Sequence, residues 1–225
     1  MTGYSFNGTD FGEAGLIVTK CSPPPCSQEE YDEITIPGRF DTLRVEKKTR
    51  KRIQIIAECT VVEPDRLRDI YALFQGKGKF IHRDEPDKFY YAVPQIITPS
   101  NVILYMNTMT LTFDCSPYAY AADNEASEIA QLPAVVTNSG NVFCQPVYKL
   151  YGNGELTLTV NEDEENQLVI PDVDGYVIAD AEKLLCHKDG TIVRCAGKIP
   201  FLNVGDNYVQ TNATKIEVTK NERWL

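Results

Sequence analysis

The chain is poor in histidine, tryptophan and unbroken apolar runs. Its two histidines, His82 and His187, lie far apart, and Trp224 is the single tryptophan. No Gly-x-Ser-x-Gly elbow and no His-Glu-x-x-His pattern occurs, so common hydrolase and zinc-peptidase signatures are missing. Gly76-Lys77-Gly78-Lys79 is too short for a phosphate loop and lacks the Lys-Ser/Thr ending. A cell-wall hydrolase would therefore need carboxylates brought together by the fold from distant positions. The longest stretch without charge, Phe89 to Phe113, is broken by Pro94, Gln95, Pro99, Ser100, Asn101 and Asn107. Leaving those polar groups in lipid would be costly, so two strands and a turn are expected there, with no membrane insertion. Met1 to Phe6 lacks the basic and apolar regions of a secretory leader, and none is expected.

Positive charge is also scarce. Twenty-two Lys and Arg face 32 Asp and Glu, a net charge of −10. Residues 1–130 carry 14 basic and 19 acidic groups and the remainder 8 and 13, so both parts come to −5. A nucleic-acid reader needs a basic face to neutralise phosphates, and neither part supplies one. Anionic membranes are disfavoured for the same reason. Seven cysteines, an odd number and widely spread, read as reduced thiols of a cytosol-made protein. A 43% hydrophobic fraction over 225 residues is enough for one large or two small cores.

What is abundant is alternation. Met109, Leu111 and Phe113 alternate with threonines, Leu156, Leu158 and Val160 with Thr157 and Thr159, and Ile216 and Val218 with polar neighbours. This period of two marks half-buried strands. Asn7-Gly8, Pro37-Gly38, Asn153-Gly154, Asp174-Gly175 and Asp189-Gly190 punctuate it as turns. One helix is expected at about 64–75. Pro64 suits its first turn, Leu67, Ile70, Tyr71, Leu73 and Phe74 share a face, and Gly76 stops it. A mainly β protein follows, with a first domain at 1–125, a linker at 126–133 and a second domain at 134–225.

Candidate sites are few. Cys21 and Cys26 flank a proline run, and Cys186, His187 and Cys195 are zinc ligands only on paper, so a loop with free thiols is the simpler reading. Glu162-Asp163-Glu164-Glu165 and Asp172-Val173-Asp174-Gly175 invite calcium but form no twelve-residue loop; solvated hairpin tips are expected. Tyr148, Tyr151, Tyr176 and Tyr208 are the aromatic groups that could support a sugar ring in the second domain. Lys47, Lys48, Arg50, Lys51 and Arg52 form the one basic cluster. It reads as nucleic-acid binding, as a charged edge that resists strand pairing, or as a subunit contact with acidic neighbours. The last two are favoured together.

Several segments carry a family resemblance. Phe6-Asn7-Gly8 followed by Phe11-Gly12 and Gly15 to Val18, then Ile34-Thr35-Ile36-Pro37-Gly38-Arg39, then Asp84 to Tyr91, and above all Thr112-Phe113-Asp114-Cys115-Ser116-Pro117-Tyr118-Ala119-Tyr120, occur in order. Together with Asn138 to Asn141, Pro146, Gly152 to Gly154, Ile178 to Asp180 and Gly205 to Asn207, the chain resembles the distal tail proteins of long-tailed, non-contractile bacteriophages and prophages. The Cys21–Cys26 loop and the basic cluster depart from that pattern. The resemblance implies an N-terminal β-rich ring domain with one helix and a C-terminal β-sandwich, galectin-like or similar to a carbohydrate module. It implies a hexameric homo-oligomer in the tail tip, assembled in the host cytoplasm. The implied partners are the major tail tube protein, the tail hub and, outside, a receptor-binding protein or host glycan. It implies no enzyme activity and no cofactor. Pro37, Gly38, Arg39, Phe113, Cys115, Pro117 and Tyr118 are the residues of its structural motifs. An acidic ring would let DNA slide without sticking, so the basic cluster is not expected to line the channel.

Overall fold

A computed structural model describes residues 2–103, 106–162 and 167–225. The chain divides into two compact units, one running up to Ala122 and including Leu225, the other Asp123–Trp224.

The first unit holds β1 (Ser5–Phe6), β2 (Thr9–Asp10), β3 (Leu16–Cys21), β4 (Glu29–Ile34), β5 (Leu43–Arg50) and β6 (Ile53–Val61). It continues with α1 (Leu67–Leu73), β7 (Gly78–Ile81), β8 (Lys88–Ile103), β9 (Met106–Cys115) and β10 (Ala119–Ala121). Its main sheet runs β2-β1-β7-β8-β9-β6-β3, all neighbours antiparallel, with β10 paired to β8. β8 and β9 are the two strands expected between Phe89 and Phe113.

Alternation explains the core. Along β6, Ile53, Ile55, Ala57, Cys59 and Val61 are buried, while Gln54, Ile56 and Glu58 face water. On β9, Met109, Leu111, Phe113 and Cys115 point inward. Phe113 is the hub of an aromatic cluster, with ring centroids 4.6 Å from Phe80, 5.8 Å from Phe6, 5.9 Å from Phe74 and 6.1 Å from Phe11. The helix supplies one wall of that cluster. Ile70 and Phe74 are buried and Leu67, Tyr71 and Leu73 half-buried, whereas Arg68, Asp69 and Ala72 are exposed. A 3-10 turn, Pro64–Arg66, precedes it, so the helical segment matches the expected start and face.

The second unit is a β-sandwich. Its strands are β11 (Ser127–Ile129), β12 (Ala134–Asn138), β13 (Val147–Tyr151), β14 (Gly154–Val160), β15 (Leu168–Val173), β16 (Tyr176–Asp180), β17 (Leu185–Lys188), β18 (Thr191–Val193), β19 (Ala196–Gly197), β20 (Gly205–Thr211) and β21 (Lys215–Thr219). One sheet runs β11-β21-β13-β16-β17-β18 and the other β12-β20-β14-β15-β19. Leu150, Val177, Ile216 and Val218 from the first meet Leu156, Leu158, Ile170 and Val209 from the second in one buried cluster. Asp189 and Gly190 both take positive φ, the two-residue turn that joins β17 to β18.

The segment 126–133, expected to be a linker, is in part a strand. Ser127–Ile129 pairs with β21, and Ile129 packs on the sandwich core. A three-residue strand is too short to show a period, which is why composition alone reads it as a connection.

Candidate assembly surface

Strands β4 and β5 form a two-stranded sheet of their own, an arm inserted between β3 and β6. Residues opposite one another in register share a face. Tyr31, Glu33, Arg44 and Glu46 lie on one face, and Asp32, Ile34, Leu43 and Val45 on the other. The first face closes on itself. The Arg44 guanidinium stands 4.5 Å from the Tyr31 ring centroid and 3.3 Å from Glu33.

The second face is open. Ile34, Leu43 and Val45 are exposed, and so are Ile36 and Phe40 towards the tip, with Phe40 at 109% of its reference area. The tip is the Pro37-Gly38-Arg39 motif. Arg39 N–H donates to the Ile36 carbonyl at 3.1 Å, and Gly38 sits at φ +86°. That is the second central position of a type II turn, where a side chain is disfavoured and where proline fits just before.

The basic cluster lies on the same arm and beyond it. Lys47 pairs with Asp32 at 2.7 Å, Arg50 with Glu29 at 2.6 Å, and Arg52 with Asp114 at 2.6 Å. Asp32 draws the Lys47 ammonium pKa up, first through their hydrogen bond. Lys48 and Lys51 have no carboxylate partner among the described residues. So three members of the cluster are engaged within the chain, and two remain free to meet something else.

The outer face of the β3–β6 part of the main sheet is a second uncovered surface among the described residues. Ile17 opposes Thr60, Lys20 opposes Glu58, and Ile56 opposes Thr112, all on the side away from the core. Ile17, Ile56 and Val62 are each about half exposed. β3 is the last strand of the sheet and keeps an unpaired edge. Exposed apolar patches beside free strand edges are what a contact surface requires.

The motif at residues 113–118 is internal. Phe113 and Cys115 are fully buried, Ser116 N–H donates to Tyr91 O at 2.7 Å, and the Ser116 hydroxyl donates to Tyr118 O at 2.8 Å. Pro117 and Tyr118 are half-buried in the turn that brings the chain back as β10. The motif closes the first unit's core and carries no reactive group. Burial pushes the Cys115 thiol up to about 12 and the Cys59 thiol likewise, and Cys21 and Cys144 up to about 11. Thiols held that high are poor nucleophiles.

The remaining candidates stay apart. Among the described residues no three His, Cys, Asp or Glu side chains come together as a metal site. Cys186 and Cys195 touch each other, and Cys21 and Cys26 are unbridged. His82 is buried at the end of β7, with Nδ1 accepting from Asp84 N–H at 3.2 Å. The Asp174 side chain is 98% exposed in its turn, and residues 163–165 of the acidic run lie outside the described residues. Of the four tyrosines, Tyr148 is wholly buried. Tyr151 and Tyr176 sit 6.1 Å apart on the sheet surface. Lys149 lies 5.0 and 5.1 Å from their ring centroids, Lys215 5.0 Å from Tyr151 and Lys188 5.3 Å from Tyr176. The chain's own ammonium groups thus stand over both rings, and Tyr208 is half-buried on β20. Among the described residues no helix is long and apolar enough to cross a membrane.

No family model matches the sequence, and no curated protein does. The solved structures answer differently. The crystal structure of the SPP1 Dit protein (gp 19.1), described as a paradigm of the hub adsorption apparatus in phages that infect Gram-positive bacteria, superimposes with a TM-score of 0.79. The match covers 99% of this chain and 98% of that one at 14% identity. The chain has the Dit fold. Both units belong to it, since the superposition runs the length of both proteins. At that identity, side chains such as those of the arm are this chain's own and need their own physical account.

Proposed function

We propose that the protein is a structural subunit of a phage tail tip, in which six copies close into a ring through their N-terminal units. The ring joins the major tail tube protein to the tail hub and gives DNA a passage, and a receptor-binding protein is a partner on its outside. The reading assigns no catalysis, no cofactor and no specific nucleic-acid binding, and places the protein in the virion after assembly in the host cytoplasm.

The observation that carries this reading is the end-to-end likeness to SPP1 Dit, a protein of a phage hub adsorption apparatus. The arm supports it independently. A soluble monomer rarely leaves a row of large apolar side chains in water, and a self-assembling one must. Net charge supports it as well, because an acidic wall repels phosphates weakly and lets them slide. Native mass spectrometry of the purified chain over a wide concentration range tests the reading. A closed oligomer, six copies in the simplest case, is expected; a monomer at every concentration would overturn it. Glycan binding by the second unit is the lesser reading, since Tyr151 and Tyr176 are already stacked with lysines.

A further inference from the structure

Between residues 2 and 122, the exposed large apolar side chains among the described residues fall into two groups. Tyr31, Ile34, Ile36, Phe40, Leu43 and Val45 belong to the arm, and Ile17, Ile56 and Val62 to the outer face of the β3–β6 sheet. We propose that these are the two halves of one contact. The Ile34–Leu43–Val45 face of one copy packs on the Ile17–Ile56–Val62 face of the next. The inference rests on the homo-oligomer of the preceding section and names its contact.

Three observations select a second copy as the occupant. The arm cannot cover itself. A lone two-stranded sheet is marginal in water, its charged face is already closed by Tyr31, Arg44 and Glu33, and its other face has nothing opposite it among the described residues. Charge is complementary as well. Glu58 stands exposed on the receiving face, opposite Lys20 but in no described ion pair, while Lys48 on the arm and Lys51 just beyond it have no described carboxylate. The two patches also match in kind. Ile34, Leu43 and Val45 on one and Ile17, Ile56 and Val62 on the other are all exposed, three aliphatic side chains against three.

The two patches differ and lie on different elements, so each copy has one donor face and one acceptor face. Such a contact is heterologous: it propagates from copy to copy and closes into a ring when the rotation allows. Two arms could instead pair face to face about a twofold axis. That arrangement would end at a dimer and leave Ile17, Ile56 and Val62 uncovered.

Two exposed-site substitutions separate these cases, Ile34→Asp on the arm and Ile56→Asp on the sheet. Neither touches the core, and a far-UV circular dichroism spectrum like that of the wild type with a cooperative melt confirms that each variant is folded. Where the wild-type chain assembles fully, each variant alone is expected to run as a monomer in native mass spectrometry. An equimolar mixture is expected to give a dimer and nothing larger, because the intact arm of one variant meets the intact face of the other and the chain of contacts then stops. Wild-type-like assembly of Ile56→Asp, or a mixture that stays monomeric, would overturn the proposal while leaving the oligomer itself in place. A monomeric wild type would overturn the ring reading and this contact with it.

Discussion

In the second unit, Leu156, Leu158 and Val160 alternate with polar residues along β14 and meet the opposite sheet; in the arm, Ile34, Leu43 and Val45 alternate with charges in the same way and meet water. The pattern of residues is the same and the surroundings are not. Alternation states which side of a strand must be covered. It does not state whether the cover comes from the same chain. Where a second sheet lies within reach the result is a sandwich, and where it does not the strand pair stands as an arm with its apolar face in water.

This contrast can be broken from the closed side first. Phe113→Ala removes the ring shared by Phe6, Phe11, Phe74 and Phe80 and should cost about 3–5 kcal/mol. Calorimetry is expected to show the first unit melting earlier with the second unmoved, and an equal shift of both would mean the cores are not separate. Asn207→Ala tests the sandwich. Its buried amide takes N–H bonds from Asn161 at 3.0 Å and Asn203 at 2.8 Å, and donates to Asn203 O at 2.8 Å and Gly205 O at 2.9 Å. Stranding those groups should cost about 1–3 kcal/mol, read from denaturant midpoints of the second unit.

A smaller effect is expected from acid. Burial holds the His82 imidazole pKa below its ordinary 6.5, against the opposing pull of Asp84 and Glu85. Above the unfolded value of about 6.5 both states are neutral and stability is full. As pH falls below it, the unfolded chain takes up a proton that the folded one resists, and stability declines towards the folded pKa. Chemical denaturation of the first unit at a series of pH values should show that slope, flattened in His82→Gln; an identical slope in both would remove the assignment. The smallest effect belongs to the arm's own ion pair. Lys47→Ala removes a surface pair with Asp32 and should leave the melting temperature unchanged. A shift of several degrees would show that the arm is held by charge and not by its partner.

Much of this was legible in the residues. The helix begins with Pro64 and buries the face expected of it, and the order of Phe113, Cys115, Pro117 and Tyr118 marks the strand and turn that close the first core. The arm was legible only in fragments. Pro37-Gly38 announces a turn, but nothing local distinguishes Ile34 from a core residue, because its exposure depends on the absence of a facing sheet. The basic cluster shows the same limit. Lys47, Arg50 and Arg52 pair with Asp32, Glu29 and Asp114, partners fixed by register and by a strand far along the chain, which composition does not reveal. The strand at Ser127–Ile129 was hidden by its length.

Direct imaging of the purified full-length chain by cryo-electron microscopy tests the central claim best. The account predicts rings of six copies, with the first unit on the inside and an arm crossing every junction so that Ile34, Leu43 and Val45 are covered by the neighbour. Monomers at all concentrations, or rings whose arms project freely into solvent, would contradict it.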